Sequence, residues 1–250
     1  MRLLLINPNI SDSVSDLIHA EARRSASPGT EVEVMTAPFG VAYIETRFEA
    51  LIGAYAAAQL AGEHHDRFDA VIVAAFGDPG LAGLREALPV PVTGMTEAAL
   101  ATAHLLGHRI SVIAISQRIQ AWYREVIEGY GFGSRLASIR ALDRPLSSPG
   151  GVQQEHAAAL EALAARAVDE DGADVIVLAG APLAGLARSL QGRLPVPVVD
   201  GVSSAVAHAQ SLVALKPGRA LRGSFARPPT KPHKGLPDSL ARLLTPGGAP

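Results

Sequence analysis

Cysteine is missing from the chain altogether, which removes disulfides, thiolate nucleophiles and cysteine-ligated metal together. No apolar run approaches the roughly 18 residues needed to span a bilayer. The apolar start Leu3-Leu4-Leu5-Ile6 halts at Asn7-Pro8-Asn9 without the basic lead-in of a signal peptide, so the expected location is the cytoplasm, with no membrane partner. Charge of one sign is not in excess either. The formal net charge is −2 and the pI ≈ 6.4, which leaves no basic footprint for nucleic acid. The eight His residues form neither HExxH nor another tight ligand cluster, so a metal site is not expected. Walker loop, dinucleotide fingerprint and GxSxG elbow are all absent. These exclusions leave a small molecule as the default partner.

Apolar residues, by contrast, make up 48% of the 250 positions, against 4% aromatic and 18% charged, enough to core one or two α/β domains. Two stretches organise them. Residues 69–85 read DAVIVAAFGDPGLAGLR and residues 174–188 read DVIVLAGAPLAGLAR. Each runs from a wholly apolar strand through small residues into a Gly/Pro turn and a short helix. The echo continues as LPVPVTG from Leu88 and LPVPVVD from Leu194, an offset of 106 residues. Four strand–helix units precede residue 108 and four more precede residue 216. Alternating units with continuous apolar strands imply parallel sheets covered on both faces, with ligands at the strand C-terminal ends. The expected fold class is α/β: two pseudo-symmetric lobes, 1–107 and 108–215, each a four-stranded mainly parallel sheet flanked by helices, with the site between lobes. Residues 216–250 are Pro- and Gly-rich. They should drape over the body or a neighbouring subunit, with a short helix at 238–244 and a mobile extreme end.

Several residues at the expected strand ends have two readings each. Asn7 and Asn9 could grip a carboxylate or imide edge with side-chain amides, or simply form an Asx turn. Asp78 either presents a carboxylate to the pocket or serves as the N-cap of a helix with Pro79 at its first position. Glu97 and Asp200 occupy matching places in the two halves. Each is a candidate general base with a raised pKa, or a complement to the positive end of the helix that follows. Tyr43, Glu45 and Thr46, after the Pro38-Phe39-Gly40 turn, form a lid or an ordinary helix start. Ser116 adds a hydroxyl to the same rim.

Taken in order, Asn7-Pro8-Asn9, Phe76-Gly77-Asp78-Pro79-Gly80-Leu81, Gly94-Met95-Thr96-Glu97-Ala98, the segment from Leu178 to Pro182, and Asp200-Gly201 resemble the aspartate/glutamate/hydantoin racemase superfamily. The hydantoin and allantoin racemase branch is the nearest, and the likeness covers roughly residues 1–215. The resemblance implies a pseudo-symmetric, cofactor-free, usually oligomeric enzyme with its substrate between the lobes. It implies substrate contacts from Asn7, Asn9, Tyr43, Thr96 and Ser116, from Ala75, Phe76 and Gly77, and from Gly180, Ala181 and Pro182. It also implies two catalytic cysteines, one per lobe, at the positions that are Ala75 and Gly180 here. Neither side chain can carry a proton, so the two-thiol route is chemically closed. The expected function is thus a racemase or isomerase acting on an amino-acid derivative, cyclic amide or carboxylate with an acidic α-carbon, with Asp78, Glu97 or Asp200 as base. A decarboxylase, lyase or ring-opening enzyme on a related substrate, or a homologue that only binds, are the alternatives.

Overall fold

Strands that are apolar on both faces need cover on both faces, and this one requirement sets the layering. In the computed structural model, which describes residues 1–143 and 148–245, the first half contains β1 (Arg2–Asn7), α1 (Asp12–Ser25), β2 (Glu31–Thr36), α2 (Arg47–His64), β3 (Ala70–Val73), α3 (Leu81–Ala87), β4 (Val92–Gly94) and α4 (Met95–His104). The second half repeats them as β5 (Ile110–Ala114), α5 (Gln120–Gly129), β6 (Leu136–Ala141), α6 (Val152–Asp171), β7 (Val175–Leu178), α7 (Leu186–Leu190), β8 (Val198–Asp200) and α8 (Gly201–Leu215). The sheets have the orders β2-β1-β3-β4 and β6-β5-β7-β8, and every pairing is parallel.

Side chains alternate across each strand. Leu3, Leu5, Ala70 and Ile72 face a central helical layer, while Leu4, Ile6, Val71 and Val73 face α2 and α3. In the second sheet Val112, Val175 and Val177 face the same central layer, and Ile113, Ile176 and Leu178 face α6 and α7. Each such fully buried Leu, Ile or Val contributes about 1.5–3 kcal/mol of hydrophobic stabilisation.

The central layer belongs to both halves. Helix α4 packs on β5, β7 and β8 of the opposite sheet, and α8 packs on β3 and β4. Thr93 Oγ1 donates to the Ala205 carbonyl at 3.2 Å. A Cβ on Gly201 would stand 2.9 Å from Met95 Cε, so the N-termini of α4 and α8 touch. The tail helix α9 (Asp238–Leu244) lies along α2, where Gly62 lacks the Cβ that would approach the Ser239 carbonyl to 2.7 Å. Leu243 joins the outer core of the first sheet. The expected mobile end, residues 246–250, falls outside the described residues. Among the described residues no helix is long and apolar enough to cross a membrane.

Candidate active site

Both duplicated corners are built from residues with no side chain to spare. After β3 come buried Ala74, Ala75 and Phe76, then three positive φ angles in four residues: Gly77 at 101°, Asp78 at 46° and Gly80 at 81°. A Cβ on Gly77 would overlap the Trp122 ring on α5. Phe76 packs on Tyr123 with ring centroids 4.6 Å apart, and the Gly77 amide donates to Thr96 Oγ1 at 2.6 Å. The corner after β7 passes through Ala179 and Gly180, a 3-10 turn Ala181–Leu183, and Gly185 before α7. Gln153 of α6 clasps that turn, its Nε2 donating to the Pro182 and Ala184 carbonyls at 2.9 Å each.

The two corners are joined by a short chain of contacts. Thr96, which holds Gly77, is the second residue of α4, whose first residue Met95 touches Gly201 at the start of α8. Next to Gly201, Asp200 accepts from the Gly185 amide at 2.7 Å. This chain of contacts links the loop after β3 to the loop after β7 through the N-termini of α4 and α8.

The expected helix N-termini at these corners take a different form. Helix α3 begins at Leu81, not at Pro79, and α7 at Leu186, and they run for 7 and 5 residues. Gly80 and Gly185, both in the left-handed region, occupy the N-cap positions. Pro79 and Pro182 sit ahead of the helices and rigidify the turns. The donors left over are turn amides: those of Ala75, Phe76 and Gly180 find no acceptor among the described residues. Unpaired buried amides are rare in folded proteins. Here they sit at equivalent places in the two halves.

The three expected bases are engaged elsewhere. Asp78 caps neither its own helix nor an open pocket. Its carboxylate accepts from the Thr96 amide at 2.8 Å, the Glu97 amide at 2.9 Å and the Tyr130 hydroxyl at 2.9 Å, so it caps α4. Burial pushes it up to about 6 despite those three donors, and burial together with the Asp78 charge raises Tyr130. Asp200 caps α8 through the Val202 and Ser203 amides at 2.8 and 2.9 Å, and burial raises it as well. Glu97 is ion-paired with Arg85, which also donates to the Val92 carbonyl at 2.9 Å. The symmetry between Glu97 and Asp200 is thus broken. Asp78, not Glu97, plays in the first half the capping part that Asp200 plays in the second.

Rim residues tie one half to the other. Ser116, at the end of β5, donates to the Glu45 carboxylate, and Arg47 pairs with Glu125 of α5. Thr46 is the N-cap of α2 with a complete capping box through Glu49. Thr46 is therefore a helix start, and the segment before it is tied to the second half through Glu45 and Ser116. Tyr43 lies within it, its phenol raised by burial and by the charges of Glu45 and Glu49. Asn7 is fully buried, donating to the Ser11 carbonyl and Ser15 Oγ, which makes it structural. Asn9 Oδ1 accepts from the Ser11 amide at 2.9 Å in an Asx turn, and its Nδ2 has no acceptor among the described residues. The Asx-turn reading of the tripeptide therefore holds at Asn9, and Asn7 serves the fold. Among the described residues no group of three or more His, Asp or Glu could hold a metal ion.

Comparison with known proteins follows the same geometry. The sequence profile of the family described as Asp/Glu/Hydantoin racemase matches residues 3–209. The chain belongs to the Asp/Glu/hydantoin racemase family. The hydantoin racemase of Paenarthrobacter aurescens is 34% identical over 237 residues, 93% of this chain and 100% of that protein. The solved allantoin racemase from Klebsiella pneumoniae is 36% identical with a TM-score of 0.89, covering 96% of this chain and 98% of that one. The allantoin racemase from Pseudomonas fluorescens is 37% identical with a TM-score of 0.88, covering 94% and 100%. Within this racemase-family chain, Gly180 stands at φ 114° and ψ 139°, a conformation that L side chains rarely adopt. A cysteine there would have to rebuild the backbone as well as add a thiol. The sequence reading missed Trp122, Tyr123 and Tyr130, which wall the first corner. One signal was available, since Trp122 is the only Trp in an aromatic-poor chain.

Proposed function

We propose that this chain is a cofactor-independent, cytoplasmic, homo-oligomeric enzyme of the racemase family. Its substrate is a small molecule with an acidic carbon beside a carbonyl: an amino-acid derivative, a hydantoin-like cyclic amide or a carboxylate. The route does not use two thiols. The observation that carries this reading is the set of unpaired amides at Ala75, Phe76 and Gly180 where the two halves meet. Removing a proton from carbon places charge on the adjacent carbonyl oxygen, and preorganised amides stabilise it, each by about 3 kcal/mol in a water-poor site. The allantoin and hydantoin racemases named above support the substrate class.

Asp78 and Asp200 hold the corners in this reading, and Glu97 stays with Arg85. Glu45 is a carboxylate that neither caps a helix nor pairs with Arg85; it is latched by Ser116 and adds, after burial and Asp78, to raising Tyr123 beside Phe76. Glu45 takes the proton as the C–H bond breaks and its electron pair moves into the enolate oxygen. Proton return from a water on the opposite face inverts the centre, and the hydroxide left behind takes back the proton held by Glu45. The test is proton NMR of a single-enantiomer 5-substituted hydantoin in D2O. Loss of the α-proton signal faster than the enzyme-free blank, abolished by Glu45→Gln, is expected. Thermal stabilisation by the hydantoin with no exchange would make the chain a binding protein instead.

A further inference from the structure

Helix α2 breaks the usual rule for a surface helix, which puts apolar residues inward and charge outward. From residue 50 to residue 62 it carries no charged side chain. Its outward face presents Phe48, 72% exposed, Leu51, 67% exposed, and Tyr55, 44% exposed, at i, i+3 and i+7. Phe39 continues the ridge, its ring centroid 5.8 Å from that of Tyr55. Beside the ridge lies an open groove of about 600 Å³ lined by Ala54, Gly83 and Leu84, with Leu240 of α9 on its far wall. No atom stands within 4 Å of where a Gly83 Cβ would be, so the groove floor is open.

We propose that this face is a two-fold interface with a second copy of the chain, the ridge of each α2 seated in the groove of the other. This rests on the homo-oligomer reading above and names its surface. A ridge and a groove side by side on one face are self-complementary, as an isologous contact requires. Among the residues lining the groove only Glu86 is charged, so the face offers little to steer a differently charged partner. Its size fits: a large aromatic exposes about 150–250 Å². The four ridge side chains therefore offer on the order of 400 Å² per copy, about half of what each partner gives to a standard interface. The groove walls supply the remainder.

The interface also reaches the segment before α2. Glu49, one turn into α2, accepts from the Glu45 and Thr46 amides at 2.8 Å each. A partner seated against Phe48 and Phe39 braces the segment that carries Tyr43 and Glu45.

The absence of cysteine makes the test direct. Sedimentation velocity of the full chain should show an oligomer whose mass falls in Phe48→Glu/Leu51→Glu while the far-UV CD spectrum is unchanged. Under mild oxidation Leu51→Cys or Tyr55→Cys should give a disulfide-linked dimer. Leu105→Cys, on a residue 80% exposed at the end of α4, should not. An oligomer whose mass the charged variant leaves unchanged, or cross-linking at Leu105 alone, overturns this face and leaves the homo-oligomer reading standing. A wild-type monomer overturns both.

Discussion

Asp78 is the most informative single side chain to perturb, because its geometry and its ionisation pull in opposite directions. Three donors favour its charged form, yet burial raises it from 3.8 to about 6, so desolvation outweighs the donors. That displacement corresponds to about 3 kcal/mol between the protonation states. The direction follows from proton counting. Between about pH 4 and pH 6 the folded chain holds a proton on Asp78 that the unfolded chain has released. This group therefore stabilises the fold most at the acid end, and its contribution is lost as pH rises through 6. Asp78→Asn abolishes the titration. It also leaves one of the Thr96 and Glu97 amides facing an NH2 group, a separate cost of about 1–3 kcal/mol. The stability gap between wild type and variant should thus shrink by about 2 kcal/mol between pH 4 and pH 7. Urea unfolding followed by fluorescence of Trp122, the sole Trp and a neighbour of Gly77, measures that gap at each pH. Glu170, Asp171 and Asp174, all lowered by Arg partners or backbone amides, act in the opposite sense and cancel in the difference. A gap that stays constant or widens with pH would refute the desolvation argument.

Gly77→Ala should destabilise by about 2–4 kcal/mol, since the new methyl meets Trp122 at a positive φ. A drop in thermal midpoint that Trp122→Phe partly restores would confirm it. Glu21→Gln should cost about 2 kcal/mol in urea unfolding, below the 3–5 of a fully buried pair. Glu21 is 1% exposed, but its partners Arg24 and Arg188 are 54% and 46% exposed. Ser116→Ala should release Glu45, so that amides 38–46 exchange with deuterium roughly tenfold faster while global stability moves by less than about 0.5 kcal/mol. Unchanged exchange there would mean that Arg47 and Glu125 alone hold the segment.

Local pattern was enough for the element order, because each strand needs only its own apolar run and each helix only its own period. Residues 136–141 and 238–244 form the elements expected of them, and the 106-residue echo returns as two sheets of the same strand order. The corners at Ala75 and Gly180 were legible for the same reason: their glycines and prolines encode a turn that depends on few distant residues. That neither Ala75 nor Gly180 can carry a proton was legible from residue identity alone.

Tertiary structure decided everything that depends on which distant groups meet. Whether Asp78 caps α3 or α4 turns on a contact 18 positions along the chain, and no local rule chooses between them. The crossing of α4 and α8 onto opposite sheets is a packing outcome shared by two helices. The roles of Trp122 and Tyr130 follow from it. Sequence fixes the chemistry a side chain can perform, but burial and neighbours determine whether that capacity is left free, and for Asp78, Glu97 and Asp200 it is already spent.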